Sequence, residues 1–510
     1  MILFLFLCAF VSISLTLVFI VYWKLIRPAK HCYDVFRRQG VSGEPFVPII
    51  GQLREMNRAR ANDQYMAYYQ ALAEKHGHVF LMGFGPWTRL FVHDPDLLAD
   101  VLGRSHAHDY TKAPLNAIVF KPLIGIHNLL VSEGEEHERA RKMLNPAFHF
   151  VNLQSMVSTM IDQTRKMIDE LFVTSSHRSV DLQIEFSALT LAIISSCAFG
   201  KGFESINNAK NIVSQFFTTV LEAIEYRTAR MINVIPILAA MPFWRKHIVN
   251  KGTREINRFV EQIIADRRQG RSKSLCSGSD ILDLLLSAVD AHGRPFVDEE
   301  IKDEALAFVL AGHETTGNLL VWAMYVLMTN EQVQRACLNE VDRVFPDDID
   351  PTYEHISSLT VCEAVLQETL RLYPPAPLFA RYCIREHTIG SGSHRSLFIP
   401  ANTIIVINTY ILHRRAEFWP RPLEFDYTRW LRNSVTDHKP KLAHPFCYLP
   451  FAAGPRNCIG QNFALLEAKV ILAMLLKRCC FKLEPGQVVT PDVRITMRPK
   501  YGLRARISKR

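Results

Sequence analysis

The sequence predicts a mainly α protein with a minor β part, preceded by a single membrane-spanning helix. Three observations carry that prediction. Residues 1–23 contain no charged side chain and are dominated by Leu, Ile, Phe and Val, long enough for one helical crossing of a bilayer. Apolar residues recur at helical intervals from about Asn152 to Asn330 with few strand-like runs between them. Only one stretch, His78 to His93, alternates around a Gly/Pro turn as a strand pair does. The chain has 510 residues, 48% hydrophobic and 21% charged, which is ordinary globular usage and argues against disorder. Length alone allows several domains; the absence of any repeat or second boundary favours one catalytic domain.

Lys24, Arg27 and Lys30 follow the apolar run directly, so the bulk of the chain is expected on the cytosolic side, with Tyr22 and Trp23 at the interface. A cleaved signal peptide is the rival, weakened by the missing basic leader, the length of the run and the lack of a small-residue cleavage site. From Arg27 to Pro48, Pro28, Pro45 and Pro48 with Gly40 and Gly43 read as a stiff connector rather than a helix. The expected division is residues 1–23 as anchor, 24–60 as a proline-containing linker and 61–510 as the catalytic domain. The net charge of +9 suits an anionic membrane surface or an acidic protein partner. No nucleic-acid-binding motif accompanies it, so no nucleic acid is expected as partner.

Asp94-Pro95 reads as a helix cap with proline in the first turn. The basic polar run Arg267 to Ser274 reads as a solvated loop. A long helix is predicted over Glu299 to Asn330, with Ala311-Gly312-His313-Glu314-Thr315-Thr316 at its middle. Glycine and paired threonines are poor helix formers, and a local weakness there would make room for a diatomic ligand and a water. Two threonines bonding back to the preceding turn is the plainer alternative. Further on, Glu368 and Arg371 stand three apart on a predicted helix, where they are neighbours. In isolation such a pair is usually solvated and contributes little.

The most informative segment is Phe451-Ala452-Ala453-Gly454-Pro455-Arg456-Asn457-Cys458-Ile459-Gly460, followed by a predicted helix from Gln461. It places a sulfur at the positive end of a helix dipole, where a thiolate is favoured. Gly454 and Gly460 allow tight turns and close approach to a large flat ligand, and Arg456 offers a guanidinium to an acidic group on it. Ligation of iron by one thiolate is a chemistry such a loop serves. Cys447 lacks this context and reads as core. The other cysteines form no CxxC spacing, which suggests reduced thiols, and no CxxCH motif would tie a haem covalently.

The segment resembles the haem-binding loop of the cytochrome P450 monooxygenases, Phe451 and Gly460 included. Ala311 to Thr316 is similar to their oxygen-activation motif. Glu368-Thr369-Leu370-Arg371 and Trp419 to Trp430 are similar to their ExxR helix and aromatic/proline loop. The likeness implies the P450 fold, of the microsomal type and nearest in look to the fatty-acid hydroxylases. It implies haem b with Cys458 as the axial, metal-binding residue, and Thr315 and Glu314 as the pair that orders oxygen and relays protons. It further implies a structural triad of Glu368, Arg371 and Arg429, and haem-propionate contacts from Arg456, Arg381, Arg141 and His137. His137 stands where the family usually has tryptophan and keeps a ring N–H donor. Ala311 replaces a glutamate that many fatty-acid hydroxylases carry, so no covalent haem ester is expected and chain-end selectivity is not implied.

The resemblance also implies a lipophilic substrate, O2, a separate NADPH-cytochrome P450 reductase with cytochrome b5 as an optional second donor, and the endoplasmic reticulum membrane. Candidate pocket linings are Ile118 to Phe120, Leu123 to Leu130, Ala307, Phe308, Pro377 to Phe379 and Ile495 to Met497. Arg139, Lys142 and Lys469 are candidates for a basic reductase-facing patch. Two other readings stay open: a family member that rearranges a preformed peroxide without O2 or reductase, and a haem-binding sensor or carrier without catalysis. The Glu314-Thr315 pair speaks against both.

Overall fold

The computed structural model describes residues 2–174, 179–200, 219–224, 226–227, 230, 232, 236–345, 350–390, 396–432 and 440–510. Part of the expected helical middle, residues 201–218, lies outside these. An apolar helix, Ile2–Val21, runs through a short π segment, Tyr22–Ile26, into a second helix, Arg27–Arg38. The non-helical connector is therefore corrected over its first half. Pro28 lies just past the π segment, where Arg27 N–H already reaches back to the Tyr22 carbonyl, and this local widening lets the rod continue through a residue that has no N–H to give. The combined rod is long and apolar enough to cross a bilayer, and its membrane-length window is buried by nothing in the protein.

The expected strand pair forms as Val79–Phe84 and Trp87–Val92, antiparallel, with the Phe80 and Phe91 rings stacked at 4.9 Å. Four further strands from distant parts of the chain complete a six-stranded sheet: Ser42–Gly43 beside the first, then Ile404–Asn408, Leu378–Cys383 and Tyr110–Lys112 beyond the second. Asp94 caps the helix Pro95–Leu102 by accepting from the Asp96 and Leu97 N–H groups, as its sequence predicts.

Helices make up the larger body. The long helix, Asp298–Thr329, packs along Leu182–Phe199, a helix apolar on nearly every side and correspondingly buried. Gly312 lets the two approach: a Cβ there would lie 3.0 Å from Ile194 Cγ1. Trp322 stacks on Tyr373 at 4.4 Å and fixes the long helix against the end of the helix Thr360–Leu372. Burying a side chain of that size contributes about 2–3 kcal/mol. The helix Gln461–Arg478 closes the core from the other side.

Two sequence expectations change. The long helix has no break at Gly312 to Thr316; it is α-helical from Asp298 to Thr329. Arg267 belongs to the helix Lys246–Arg268, and its buried guanidinium bonds Asp280 at 2.8 and 2.9 Å, so only the later part of the basic run is loop. Cys447 is buried as expected, and all eleven cysteines are free thiols.

Candidate active site

A cavity of about 380 Å³ lies between the 449–460 loop and the long helix. Its floor is the loop. Ala452 and Gly454 both take positive φ, 54° and 72°, and the chain folds back so that Cys458 N–H donates to the Phe451 carbonyl at 2.9 Å. Gly454 admits no side chain, because a Cβ there would fall 1.7 Å from the Leu102 carbonyl oxygen. Gly454→Ala combines that overlap with a left-handed backbone, and is expected to destabilise the protein by well over 1 kcal/mol. A lower Tm and poor haem retention in the purified variant would show it.

Gly460 caps the following helix, so the sulfur lies at its N-terminus. Cys458 opens onto the cavity, and it is the one cysteine that does so among the described residues. Protein packed around it pushes the thiol pKa up, against the pull of the Gly460 N–H, Arg141 and Lys112. Phe451 and Gly460 also line the cavity.

One wall is strongly basic. Arg141, Arg381, Arg456, Lys112 and His137 all line it. Arg456 donates to the Ser132 carbonyl at 2.7 Å and pairs with Glu133. Arg141 grips Asn457 through its carbonyl and its side-chain oxygen, both at 2.7 Å, which ties the thiolate loop to the helix Gly134–Leu144. Burial, with Arg456 beside it, lowers the Arg381 pKa to about 10. Burial and the neighbouring Arg456 and Arg381 hold Lys112 down to about 7. The same combination takes His137 to about 3, so its ring is neutral. Three guanidinium groups and Lys112 on one wall, with Glu133 paired to Arg456, form a receptor for further negative charge. A flat diacid such as haem, with two carboxylates for this wall and a metal for the sulfur, fits that arrangement.

The opposite wall is the long helix, contributing Glu304, Ala307, Phe308, Ala311, Gly312, Thr315 and Thr316. Thr315 lines the cavity while its hydroxyl donates to the Ala311 carbonyl at 2.6 Å, the back-bonded alternative. Glu314 is not in the wall; its Oε1 accepts from the Thr496 hydroxyl at 2.7 Å, and burial raises its pKa. Of the candidate linings, Phe120, Leu129, Leu130, Ala307, Phe308 and Phe379 face the cavity. Ile118, Val119, Leu123 to Asn128, Pro377, Leu378 and Ile495 to Met497 do not, the Met497 carbonyl accepting from Trp322 Nε1.

Behind the loop, the Glu368 and Arg371 side chains are fully buried and paired two-fold, at 2.8 and 2.9 Å. Glu368 also accepts from the Asp426 N–H and Trp430 Nε1, each at 2.9 Å, with Arg429 Nε at 3.4 Å. Arg371 uses its remaining donors on the His413, Pro422 and Glu424 carbonyls. The three residues thus meet, and they pin the aromatic/proline loop to the helix Thr360–Leu372.

The family profile described as Cytochrome P450 matches residues 41–503. The chain belongs to the cytochrome P450 family. It is 31% identical over 485 residues to cytokinin hydroxylase of Arabidopsis thaliana, covering 91% of this chain and 90% of that one. Cytochrome P450 72A15 of Arabidopsis thaliana is 27% identical over 503 residues, 94% of this chain and 93% of that one. Cytochrome P450 4X1 of Homo sapiens is 28% identical, with 88% and 87% covered. Among solved structures, the haem domain of cytochrome P450DA superposes with a TM-score of 0.77 at 25% identity, covering 92% of this chain and 98% of that one. As a P450 the chain is a haem monooxygenase with a cysteine thiolate as axial ligand, using O2, a substrate and a redox partner.

Sequence reasoning missed Lys112, Glu133 and Asn457 at this site. It also placed Arg139 and Lys469 on a basic patch. Arg139 is instead committed to Asp290 and Glu300, at 3.0 and 2.8 Å, and Lys469 is buried against Glu363 at 2.9 Å, which leaves Lys142 as the exposed member. No residue pattern distinguishes a paired surface cation from a free one.

Proposed function

We propose that the chain is a membrane-anchored monooxygenase of the endoplasmic reticulum that hydroxylates a lipophilic molecule with electrons from an NADPH-cytochrome P450 reductase, cytochrome b5 serving as an optional second donor. Residues 1–23 form a single-pass anchor, 24–60 connect it, and 61–510 form a cytosolic catalytic domain. The carrying observation is the two-walled cavity: the Cys458 sulfur on one side, Thr315 facing it, and apolar residues between.

Cys458 is the axial ligand in this reading. Haem b, when bound, would supply the iron chemistry that activates O2, with the Cys458 thiolate as its electron-rich ligand. The chain's own residues do the rest. Arg456, Arg381 and Arg141, with Lys112 and the neutral His137 ring, would hold its two carboxylates. Phe451 and Gly460 shape the floor. Phe120, Phe308 and Phe379 exclude water and seat an apolar substrate.

Thr315 turns its hydroxyl from the Ala311 carbonyl to hold a water in the cavity and pass on its proton. Glu314, whose ionisation burial disfavours, accepts from the Thr496 hydroxyl at Oε1 and takes up and releases a proton at its other carboxyl oxygen.

Thr315→Ala is expected to keep its haem yet lose proton control. Product formed per NADPH consumed should fall about tenfold or more, with peroxide released in its place. Unchanged coupling in that variant would remove Thr315 from the mechanism. The activity itself is tested by incubating holoenzyme, reductase, NADPH and isotopically labelled dioxygen with a panel of lipids. One labelled oxygen atom in the product supports the reading; turnover without NADPH or O2 contradicts it.

A further inference from the structure

The cavity wall contains one carboxyl group that the chemistry above does not use. Glu304 belongs to the row Glu304, Ala307, Phe308, Ala311 and Thr315, which shares one face of the long helix and lines the cavity throughout. With a rise of about 1.5 Å per residue, Glu304 lies about 16 Å along the axis from Thr315. It is only 1% exposed, and neither of its carboxyl oxygens makes a well-formed hydrogen bond among the described residues, the Leu129 N–H giving it only a weak one. Folded proteins seldom leave such a group unsatisfied, since the loss is about 1–3 kcal/mol. Burial raises its pKa to about 8; Asp303, Glu300 and Glu136 push the same way, and the Leu129 N–H opposes them.

Glu304 is not needed to fasten the neighbouring loop, because the residue before it does that. Asp303 Oδ2 accepts from the Ile126 and His127 N–H groups at 2.9 and 3.0 Å. Gly125, at φ 70°, rests directly on the same carboxylate, and Asn128 closes the turn onto the Ile124 carbonyl at 2.9 Å. The cations nearby are also committed elsewhere: Arg139 to Asp290 and Glu300, His127 to Glu136, Lys302 to Glu261. Lys112 donates to the Leu129 and Leu130 carbonyls. Glu304 is left as an unmatched carboxyl, largely protonated near neutral pH and so able both to donate and to accept, in an apolar wall formed with Phe120, Leu129 and Leu130.

We propose that Glu304 is a specificity-determining residue: the substrate is a long lipophilic molecule bearing a hydrogen-bond donor, a hydroxyl or amino group, about 16 Å from the part of it that lies against Thr315. This rests on the monooxygenase reading of the cavity. A hydroxyl supplies the missing partner, whereas a fatty-acid carboxylate brings another acid to a place where Glu136, Glu300 and Asp303 already gather. Among lipophilic substrates the site therefore favours alcohols and amines over free fatty acids.

The test is a spectral titration of the purified holoenzyme with dodecan-1-ol, its methyl ether 1-methoxydodecane, and dodecanoic acid, following the spin-state shift of the haem. The alcohol should bind about tenfold more tightly than the ether, the value of one hydrogen bond to a buried group, with the acid weakest. Glu304→Leu should bring the alcohol-to-ether ratio to about one, and Glu304→Gln should keep part of the preference. The proposal is overturned if the native protein does not prefer the alcohol, if the acid binds most tightly, or if Glu304→Leu leaves the ratio intact. Equal weakening of all three ligands in Glu304→Leu also overturns it, since that marks a purely structural role. Failure of the monooxygenase reading looks different: the native protein would lack a thiolate-type carbon monoxide spectrum altogether.

Discussion

Replacing Glu368 with alanine is expected to leave no folded holoenzyme. The carboxylate sits at zero exposure and holds two Arg371 nitrogens, the Asp426 N–H, Trp430 Nε1 and the Arg429 guanidinium. Its removal strands the Arg371 charge inside the core. Breaking a buried pair from one side costs about 3–5 kcal/mol, against a total stability for a domain of about 5–15 kcal/mol. The damage is also directed, because the loop pinned by Glu368 leads into the segment that carries Cys458. Expression with haem-content assay and thermal melting of Glu368→Ala and Glu368→Gln distinguishes charge from packing. The amide cannot bind two guanidinium nitrogens as acceptor at both atoms, so Glu368→Gln should retain some haem but melt lower. Normal haem incorporation in Glu368→Ala would refute the role.

Cys458→Ser is expected to abolish monooxygenase activity, by several powers of ten, while the fold survives. Serine is close to cysteine in size, and its oxygen can accept from the Gly460 N–H as the sulfur does. A hydroxyl is, however, a far weaker acid than a thiol and a poor source of electron density for iron. The surroundings add to the contrast: burial already opposes ionisation of the thiol, and the Gly460 N–H, Arg141 and Lys112 are arranged to oppose that effect. Circular dichroism should match the native protein, melting should fall only by what haem ligation contributes, and turnover with reductase and NADPH should vanish. Retained turnover would mean that the reaction does not depend on this sulfur.

What was legible in the sequence was whatever is continuous in it. The loop from Phe451 to Gly460 carries its turn glycine, its sulfur and its helix start in one run, so the floor of the site could be read directly. Glu368 and Arg371 could be paired from helical spacing, and Arg429 was linked to them only through the family likeness. Glu133, Lys112 and Glu304 could not be found, because each comes from a different element and gains its meaning from what it meets across the cavity. Pro28 misled in the opposite direction: a proline ordinarily breaks the middle of a helix, and only the structure shows the π segment at Tyr22–Ile26 that lets the helix pass it. Glu314 bonds Thr496, a residue 182 positions away, which no local pattern announces.

The account stands on a sulfur–iron bond at Cys458, and the absorption spectrum of the native protein, purified with haem, reduced and exposed to carbon monoxide, tests it most directly. A red-shifted Soret band typical of thiolate opposite carbon monoxide, lost in Cys458→Ser, is the predicted result. A native spectrum typical of histidine ligation, or a red-shifted band that persists in Cys458→Ser, would contradict it.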